Sequence, residues 1–236
     1  MAEIKVMSAG AVQPMVESLG AEFERETGHK LNLNFGTAGA LRERLKGGEK
    51  ADLAVLSASA IEALEKTGLF LPGSRTDLGR TVTGVAIRDG APMPDISTPE
   101  AFKQALLNAK RVSYTDPKAG GSSGNFFAGL LQQLGIAEAV NAKALLRGRG
   151  YEVAQAVASG EADIGTTFVS EILTVKGAKV AGPLPPGIAN VNTYTGAVLA
   201  GSAHGDIAAA LIRKLVSPAT RSRWTAAGLE PAFPAQ

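Results

Sequence analysis

Three short segments rich in glycine and hydroxyl-bearing residues stand where a predicted strand gives way to a predicted helix. They are Ser8–Gly10 ("SAG"), Gly36–Gly39 ("GTAG") and Gly120–Gly124 ("GGSSG"). Helix N-termini present unpaired N–H groups and the positive end of the helix dipole, and hydroxyls add further donors. A single segment of this kind is most often an ordinary helix cap. Three in one chain favour a binding site for an oxyanion or a carboxylate.

Two arginines in the segment "LLRGRGYE" could add positive charge to such a site. Arg147 and Arg149 are two residues apart, and guanidinium groups bind carboxylates through paired hydrogen bonds. A solvated turn explains either arginine alone equally well. Tyr151, at the start of the next predicted helix, could orient a ligand or only pack.

The segment "GGSSG" also matches the G-x-S-x-G pattern of serine hydrolases, with Ser122 at the nucleophile position. His204, Asp163 and Asp206 follow later in the chain. That motif requires the serine immediately after its strand, whereas "TDPKAGG" intervenes here. A hydrolase is therefore the weaker hypothesis, and no phosphate-binding glycine motif supports nucleotide binding.

Composition narrows the function classes further. The 236 residues carry a formal net charge of +2, 45% are hydrophobic and 19% are charged, which is typical of a soluble α/β protein. Lysines and arginines are spread along the chain, so nucleic acid is not an expected partner. No apolar run is long enough to span a membrane. With no cysteine and only two histidines, we expect neither a metal site nor a cofactor.

Strand and helix patterns alternate along the chain. The stripe Val12, Met15, Val16, Leu19 and Phe23 predicts an amphipathic helix, and "LNLNF" and "ADLAVL" predict strands. The βαβαβα order implies a parallel sheet with right-handed crossovers. A second series begins near Thr81, with a helix predicted over 99–108. The last segment is too short to form a domain of its own and is predicted to pack on the first series of strands and helices.

The order of "MSAGAV", "FGTAGALRERLKGGEKADLAVLS" and "ASGEADIGTTFVSEIL" resembles the periplasmic molybdate-binding proteins and the wider solute-binding family around them, over nearly the whole chain. The resemblance implies an α/β, two-lobed type II periplasmic binding protein fold. Each lobe would be a mostly parallel sheet flanked by helices, with the ligand in the interlobe cleft. We assign 1–83 plus 194–236 to lobe one and 84–193 to lobe two, with hinge strands near 81–86 and 190–196.

The resemblance also assigns individual residues. The family's first-loop serine falls on Ser8, its second loop on Thr37 and Ala38, and its late-strand tyrosine on Phe168. Without the tyrosine hydroxyl, a tetrahedral oxyanion loses a hydrogen bond of about 1.5 to 3 kcal/mol, whereas the arginines and the "GGSSG" segment favour a larger organic anion. The candidate ligand-binding residues are Ser8, Ala9, Gly10, Thr37, Ala38, Gly39, Ser122, Ser123, Gly124, Arg147, Arg149, Tyr151 and Phe168.

The expected function is that of a periplasmic solute-binding protein which captures a small anion, an organic carboxylate or a molybdate-like oxyanion. The alternative implied by the same resemblance is an isomerase of the aconitate-isomerase type, which shifts an allylic proton on a tricarboxylate without a cofactor. Such a reaction needs a base, for which Asp116 and Tyr151 are the candidates.

The start "MAEIKV" places Met directly before a strand-like segment, which fits a signal peptide replaced by a start codon and fits a native cytosolic start as well. The resemblance to periplasmic binding proteins implies a periplasmic location. The expected partners are the small anion and the membrane subunits of an ABC transporter, and we expect the protein to be a monomer.

Overall fold

The computed structural model describes residues 1–235. The chain forms two compact units. Unit 1 comprises Met1–Arg80 together with the chain from Asn192 onward, and unit 2 comprises Thr81–Val191. The hinge strands near 81–86 and 190–196, and lobe boundaries after residues 83 and 193, stay predictions.

Strands and helices alternate through both units. Unit 1 begins with β1 (Glu3–Ala9), α1 (Gln13–Thr27), β2 (Lys30–Gly36), α2 (Ala38–Lys46), β3 (Leu53–Ser57), α3 (Ala58–Glu65) and β4 (Thr76–Arg88), which continues into unit 2. Unit 2 adds α4 (Pro99–Asn108), β5 (Val112–Thr115), α5 (Ser122–Gln133), α6 (Ala137–Asn141), β6 (Ala144–Arg147), α7 (Gly150–Ala158), β7 (Ile164–Phe168), α8 (Val169–Ile172) and β8 (Ala178–Pro183). The chain then returns through β9 (Val191–Val198) to α9 (Gly205–Leu215), α10 (Arg221–Ala226) and β10 (Glu230–Pro231).

The sheet of unit 1 has the strand order β2-β1-β3-β9-β4, with β10 paired to β4. β1 is parallel to β2 and to β3, which confirms the predicted βαβαβ arrangement. β9 is antiparallel to β3, because it enters unit 1 directly from unit 2 without a crossover helix. The carboxyl ends of β1, β2 and β3 therefore share one edge of this sheet.

The helices of unit 1 follow the predicted apolar pattern. All five residues of the stripe from Val12 to Phe23 are buried. Pro14 lies in the first turn of α1, and Gly28 ends the helix with a left-handed φ of 75°, a conformation that glycine adopts without strain. Trp224 on α10 is fully buried, and its indole N–H donates to the Leu215 carbonyl.

The sheet of unit 2 has the order β4-β7-β5-β6, and β8 pairs with β4. β5 is parallel to β6 and β7, whereas β4 and β7 are antiparallel. The core on one face is built around Phe102, Phe127 and Tyr114. The Tyr114 and Phe127 rings meet edge to face, 5.0 Å apart. This packing fixes α4 and α5 against the sheet and so positions the carboxyl ends of β5, β6 and β7.

Two differences from the sequence predictions affect the candidate site. β4 begins at Thr76, five residues before the predicted start near Thr81. The segment around Arg147, for which a solvated turn was one of two explanations, contains the strand β6, which is held by β5 on one side. Within residues 1–235, no helix is long and apolar enough to cross a membrane.

Candidate functional site

In unit 1, three strand ends lie side by side and each leads into a helix. Ala9 at the end of β1 pairs with Gly36 at the end of β2, and Ser8 pairs with Val55 near the end of β3. Gly10 begins the short 3-10 turn before α1. The structure thus brings the candidate segments 8–10 and 36–39 together.

Hydroxyl groups occupy these helix starts. Thr37 precedes α2, and its Oγ1 accepts a hydrogen bond from the Ala40 N–H at 3.2 Å, while Ala38 and Gly39 form the first turn. Ser57 at the end of β3 accepts from the Ala60 N–H in the same way. Ser57 was not among the predicted residues, although a serine directly after a buried strand is the signal shared by the others. The Ser8 hydroxyl is fully buried and donates to the Ala9 carbonyl at 3.3 Å.

In unit 2, the ends of β5, β6 and β7 form a second edge. Thr115 pairs with Arg147 and Tyr114 with Thr166, so the chain beyond β5, Arg147 and Phe168 lie along this edge. The Asp116 N–H donates to the Arg147 carbonyl at 2.7 Å. Tyr151, in the first turn of α7, follows β6 at the same edge.

Ser122, Ser123 and Gly124 form the first turn of α5, so these candidate residues belong to the helix itself and not to the junction before it. Gly120 turns the chain with a φ of 72°, which lets the helix begin at Ser122. A β-carbon on Gly124 would lie 2.2 Å from the Thr115 carbonyl oxygen, so glycine permits this helix to start against the strand end. The Ser123 hydroxyl lies 3.4 Å from that of Thr115, whereas Ser122 is half-buried.

The two arginines have different environments. Arg147 Nη2 forms an ion pair with Glu161 Oε2 at 2.7 Å. Hydrogen bonds from Ser159 and then from Arg147 lower the pKa of the Glu161 carboxyl. Arg149 is exposed and forms no ion pair within residues 1–235. The predicted two-arginine carboxylate clamp is therefore not assembled, because Glu161 occupies one of its members.

The first turn of α7 carries its own acidic residue. Glu152 Oε2 accepts from the N–H groups of Gly148 at 3.0 Å and Arg149 at 3.2 Å. By contrast, α1, α2, α3 and α5 have no acidic residue in their first turns. Asp and Glu at a helix start offset the positive end of the dipole. These four helix starts therefore keep their positive character, which suits an anion.

A buried carboxyl that the sequence did not single out lies behind the edge of unit 2. Glu171 is 8% exposed and accepts a hydrogen bond from the Thr167 hydroxyl at 2.7 Å. Burial raises its pKa to about 7, against hydrogen bonds from Thr167 and from the backbone amides of Phe168 and Gly150. Sequence alone shows only an acidic residue at a helix start, which is common.

The two candidate bases differ in their partners. The Asp116 carboxylate accepts from the Lys118 N–H at 2.9 Å, which closes the turn after β5. Tyr151 is half-buried. The hydrolase hypothesis lacks the context that its motif requires, because six residues separate β5 from Ser122. Within residues 1–235, no group of three or more His, Cys, Asp or Glu side chains could hold a metal ion.

Comparison with known families decides the class of the protein. The model of the family described as bacterial extracellular solute-binding protein matches residues 4–230. The chain belongs to this family. It is 33% identical over 239 residues to the aconitate isomerase of a Pseudomonas species, an alignment covering 99% of this chain and 89% of that relative.

Solved structures of solute-binding proteins share the fold. The periplasmic molybdate-binding protein of Azotobacter vinelandii superposes with a TM-score of 0.78 at 20% identity, covering 98% of this chain and 99% of that one. The sulfate-binding protein SubI of Mycobacterium tuberculosis superposes with a TM-score of 0.79 at 19% identity, covering 100% of this chain and 88% of that one. This solute-binding protein therefore has the two-lobed periplasmic binding fold, as the resemblance implied.

Proposed function

We propose that this solute-binding protein captures a small anion in the periplasm, and that the anion is an organic carboxylate in preference to a tetrahedral oxyanion. The observation that carries the proposal is the set of helix starts at the carboxyl edges of the two sheets. Four of them lack an acidic residue in the first turn, and free N–H groups at such helix starts bind anions. Relatives and structural neighbours named for aconitate, molybdate and sulfate support an anionic ligand.

Unit 1 would contribute donors without formal charge. The proposed contacts are the backbone amides and hydroxyls of Ser8–Gly10 and Thr37–Gly39, at adjacent strand ends. Backbone N–H and hydroxyl groups can hold an anion through several charge-assisted hydrogen bonds. Because the Ser8 hydroxyl is fully buried, we expect the amides to contribute more than that hydroxyl does.

Unit 2 would contribute the formal charge. Arg149 is exposed without an ion pair in the described chain, whereas Arg147 would first have to leave Glu161. The first turn of α5, with Ser122, Ser123 and Gly124, would bind one carboxylate and Arg149 another. Phe168 is buried and carries no hydroxyl, so it would pack against the ligand and add no donor. This donor set fits an anion with several carboxylates.

Isothermal titration calorimetry with trans-aconitate, citrate, molybdate and sulfate tests the proposal. We expect at least one carboxylate to bind and the variant Ser122→Ala, Ser123→Ala, Arg149→Ala to bind it more than about tenfold more weakly, since loss of a single hydrogen bond to a charged group already costs about 1.5 to 3 kcal/mol. Arg88→Ala is the matched control, because Arg88 is an exposed arginine of unit 2 and the last residue of β4. Unchanged affinity in the triple variant would rule out this placement.

Isomerisation of a tricarboxylate is the second candidate function. Identity of 33% along 99% of the chain to an aconitate isomerase favours it. Proton transfer along an allylic system needs a base and cations beside the carboxylates, and Asp116, Tyr151 and Arg149 supply these residue types at one edge. Proton NMR of trans-aconitate with catalytic amounts of protein tests this candidate: appearance of the cis isomer identifies an enzyme. No conversion, even with protein in excess, rules out isomerisation of that substrate and leaves the binding function to be tested by calorimetry.

The partners belong to the same proposal. A protein that captures an anion for uptake would deliver it to the membrane subunits of an ABC transporter, and would act as a monomer. Light scattering at micromolar concentration measures the mass, which is 24.2 kDa for one chain. A stable dimer would contradict the monomeric part of the proposal.

A further inference from the structure

The buried carboxyl of Glu171 lies at the point where two elements of the candidate site begin. Glu171 is the third residue of α8, directly after β7. Its hydrogen bonds come from the Thr167 hydroxyl and from the amides of Phe168 and Gly150. Phe168 is a predicted ligand-binding residue, and Gly150 stands between two others, Arg149 and Tyr151. A change at this carboxyl therefore acts directly on the backbone of the proposed site.

The contact with Gly150 is close. A β-carbon at Gly150 would lie 1.8 Å from Glu171 Oε2 and 2.3 Å from Thr167 Oγ1. The first residue of α7 is thus packed onto the carboxyl without a side chain between them. Helix α7 has nine residues. Because the Gly150 N–H at its start donates to Glu171, the carboxyl lies at the positive end of the helix dipole.

No opposite charge neutralises this carboxyl. The charged or titratable groups on the elements packed against it are Arg149, Tyr151 and Glu152 at the start of α7, Asp77, Arg80 and Arg88 on β4, Lys176 before β8 and Lys179 on β8. Within residues 1–235, none of them forms an ion pair with Glu171, and its three hydrogen-bond donors are all neutral. β7 carries no charged side chain.

We infer that Glu171 is a positioning residue that couples anion binding to the uptake of one proton, an inference that rests on the proposed anion site of unit 2. When Glu171 is ionised, its negative charge lies against Gly150, next in the chain to Arg149, through which the proposed anion would contact unit 2. When an anion binds at Arg149, repulsion between the two negative charges favours the neutral carboxyl. The carboxylate then takes a proton from solvent and remains in place as a neutral group.

Burial supports this coupling over a purely structural cap. A carboxyl at the third position of a helix commonly accepts from the N–H group at the helix start, and such a residue is normally ionised at neutral pH. Here burial places the pKa at about 7, so a modest change in local charge shifts the protonation state within the physiological range. Thermodynamic reciprocity then requires that protonation strengthens anion binding.

Calorimetry at pH 6, 7 and 8 in HEPES and in Tris, with trans-aconitate and sulfate as probes, tests the inference. If binding raises the pKa by about one unit, the affinity of the wild-type protein falls about fivefold from pH 6 to pH 8, and about half a proton is taken up at pH 7.5. Glu171→Gln should abolish the proton uptake and the additional pH dependence. Because titration of the probe is common to both proteins, the difference between them isolates Glu171.

Two further variants keep the test decisive. Glu152→Gln removes the more exposed carboxylate from the same helix start and should retain the wild-type pH dependence. Thr167→Val removes the hydroxyl donor to Glu171 and should move the midpoint of the pH dependence upward, which remains measurable if Glu171→Gln does not fold. If the Glu171 or the Thr167 variant shows the same pH dependence and proton uptake as the wild type, the inference about Glu171 is overturned, while the proposed anion site is not. Failure of the wild type to bind either probe at any pH would overturn the proposed anion site and this inference with it.

Discussion

A β-carbon on Gly150 would lie 1.8 Å from Oε2 of Glu171. The two residues are 21 positions apart in the chain, and the space between α7 and α8 is filled by the carboxyl itself. Any residue other than glycine at position 150 would therefore displace Glu171 or move the start of α7. Since Arg149 and Tyr151 flank this position, the contact links fold stability to the geometry of the proposed site.

Gly150→Ala is expected to destabilise unit 2 by about 1 to 3 kcal/mol, as overpacking of a well-filled interior does. Gly129→Ala is the matched control, because Gly129 lies within helix α5 with no atom within 4 Å of an added β-carbon. Alanine there should stabilise the protein by about 0.5 to 1 kcal/mol. Urea unfolding of both variants measures the difference, and equal effects would contradict the close packing at Gly150.

The raised pKa of Glu171 predicts how stability changes with pH. The ordinary pKa of Glu is about 4.5 and burial raises it to about 7, so the folded state holds a proton that the unfolded state has lost between these values. Stability therefore falls as pH rises from about 4.5 to 7, by about 3 kcal/mol from this group. Above pH 7 this contribution is constant.

Comparison of the wild type with Glu171→Gln at pH 5 and pH 8 measures this effect. Other carboxylates act in the opposite direction: Arg44 and Lys5 lower the pKa of Glu49 to about 2. The free energy of unfolding of each protein therefore reports a sum, and only the difference between the two isolates Glu171. A difference that does not depend on pH would show that Glu171 is ionised throughout this range.

Elements with local end signals were predictable from the sequence. The helix Pro99–Asn108 was predicted with its observed bounds, because Thr98 accepts from the Ala101 N–H at 3.1 Å and proline favours the first turn. The first helix was recognisable for the same reason, since Gly28 ends it. The parallel order of β1, β2 and β3 followed from their alternation with helices.

The rest of the site depends on contacts between distant residues. β6 has only four residues, from Ala144 to Arg147, and none is fully buried, so no alternating pattern marked it as a strand. The ion pair between Arg147 and Glu161 joins a strand to a residue 14 positions later. Burial of Glu171 requires Gly150 opposite it. Local spacing carries none of this information, which is why the arginine clamp was predicted and the buried carboxyl was not.

Lys143 provides a test of helix-end stabilisation in unit 2. Its Nζ donates to the carbonyls of Leu107 at 2.6 Å and Ala109 at 2.5 Å, at the C-terminal end of α4. A cation there satisfies exposed carbonyls and complements the helix dipole. We expect Lys143→Met to destabilise the protein by about 1 to 2 kcal/mol. Lys103→Met, a substitution within α4 itself, should change stability by less than about 0.5 kcal/mol. Equal thermal shifts for the two variants would contradict this.

Trp224 is the single tryptophan of the chain and allows unit 1 to be followed by fluorescence. The residue is fully buried, and its ring contacts Phe233 edge to face at 6.3 Å between centroids. A β-carbon on Gly79 would lie 2.8 Å from the indole Cε3. Because both flanking groups restrict the ring, an added methyl at position 79 would have to displace the indole or separate α10 from β4.

Gly79→Ala should therefore shift the emission of Trp224 to longer wavelength, as the indole gains contact with water, and destabilise unit 1 by about 1 to 3 kcal/mol. Gly201→Ala is the matched control, since an added β-carbon there meets no atom within 4 Å, and its emission should equal that of the wild type. Emission spectra and urea titrations followed at Trp224 measure both effects. If Gly79→Ala kept the wild-type spectrum and stability, the close packing of the indole against Gly79 would be contradicted.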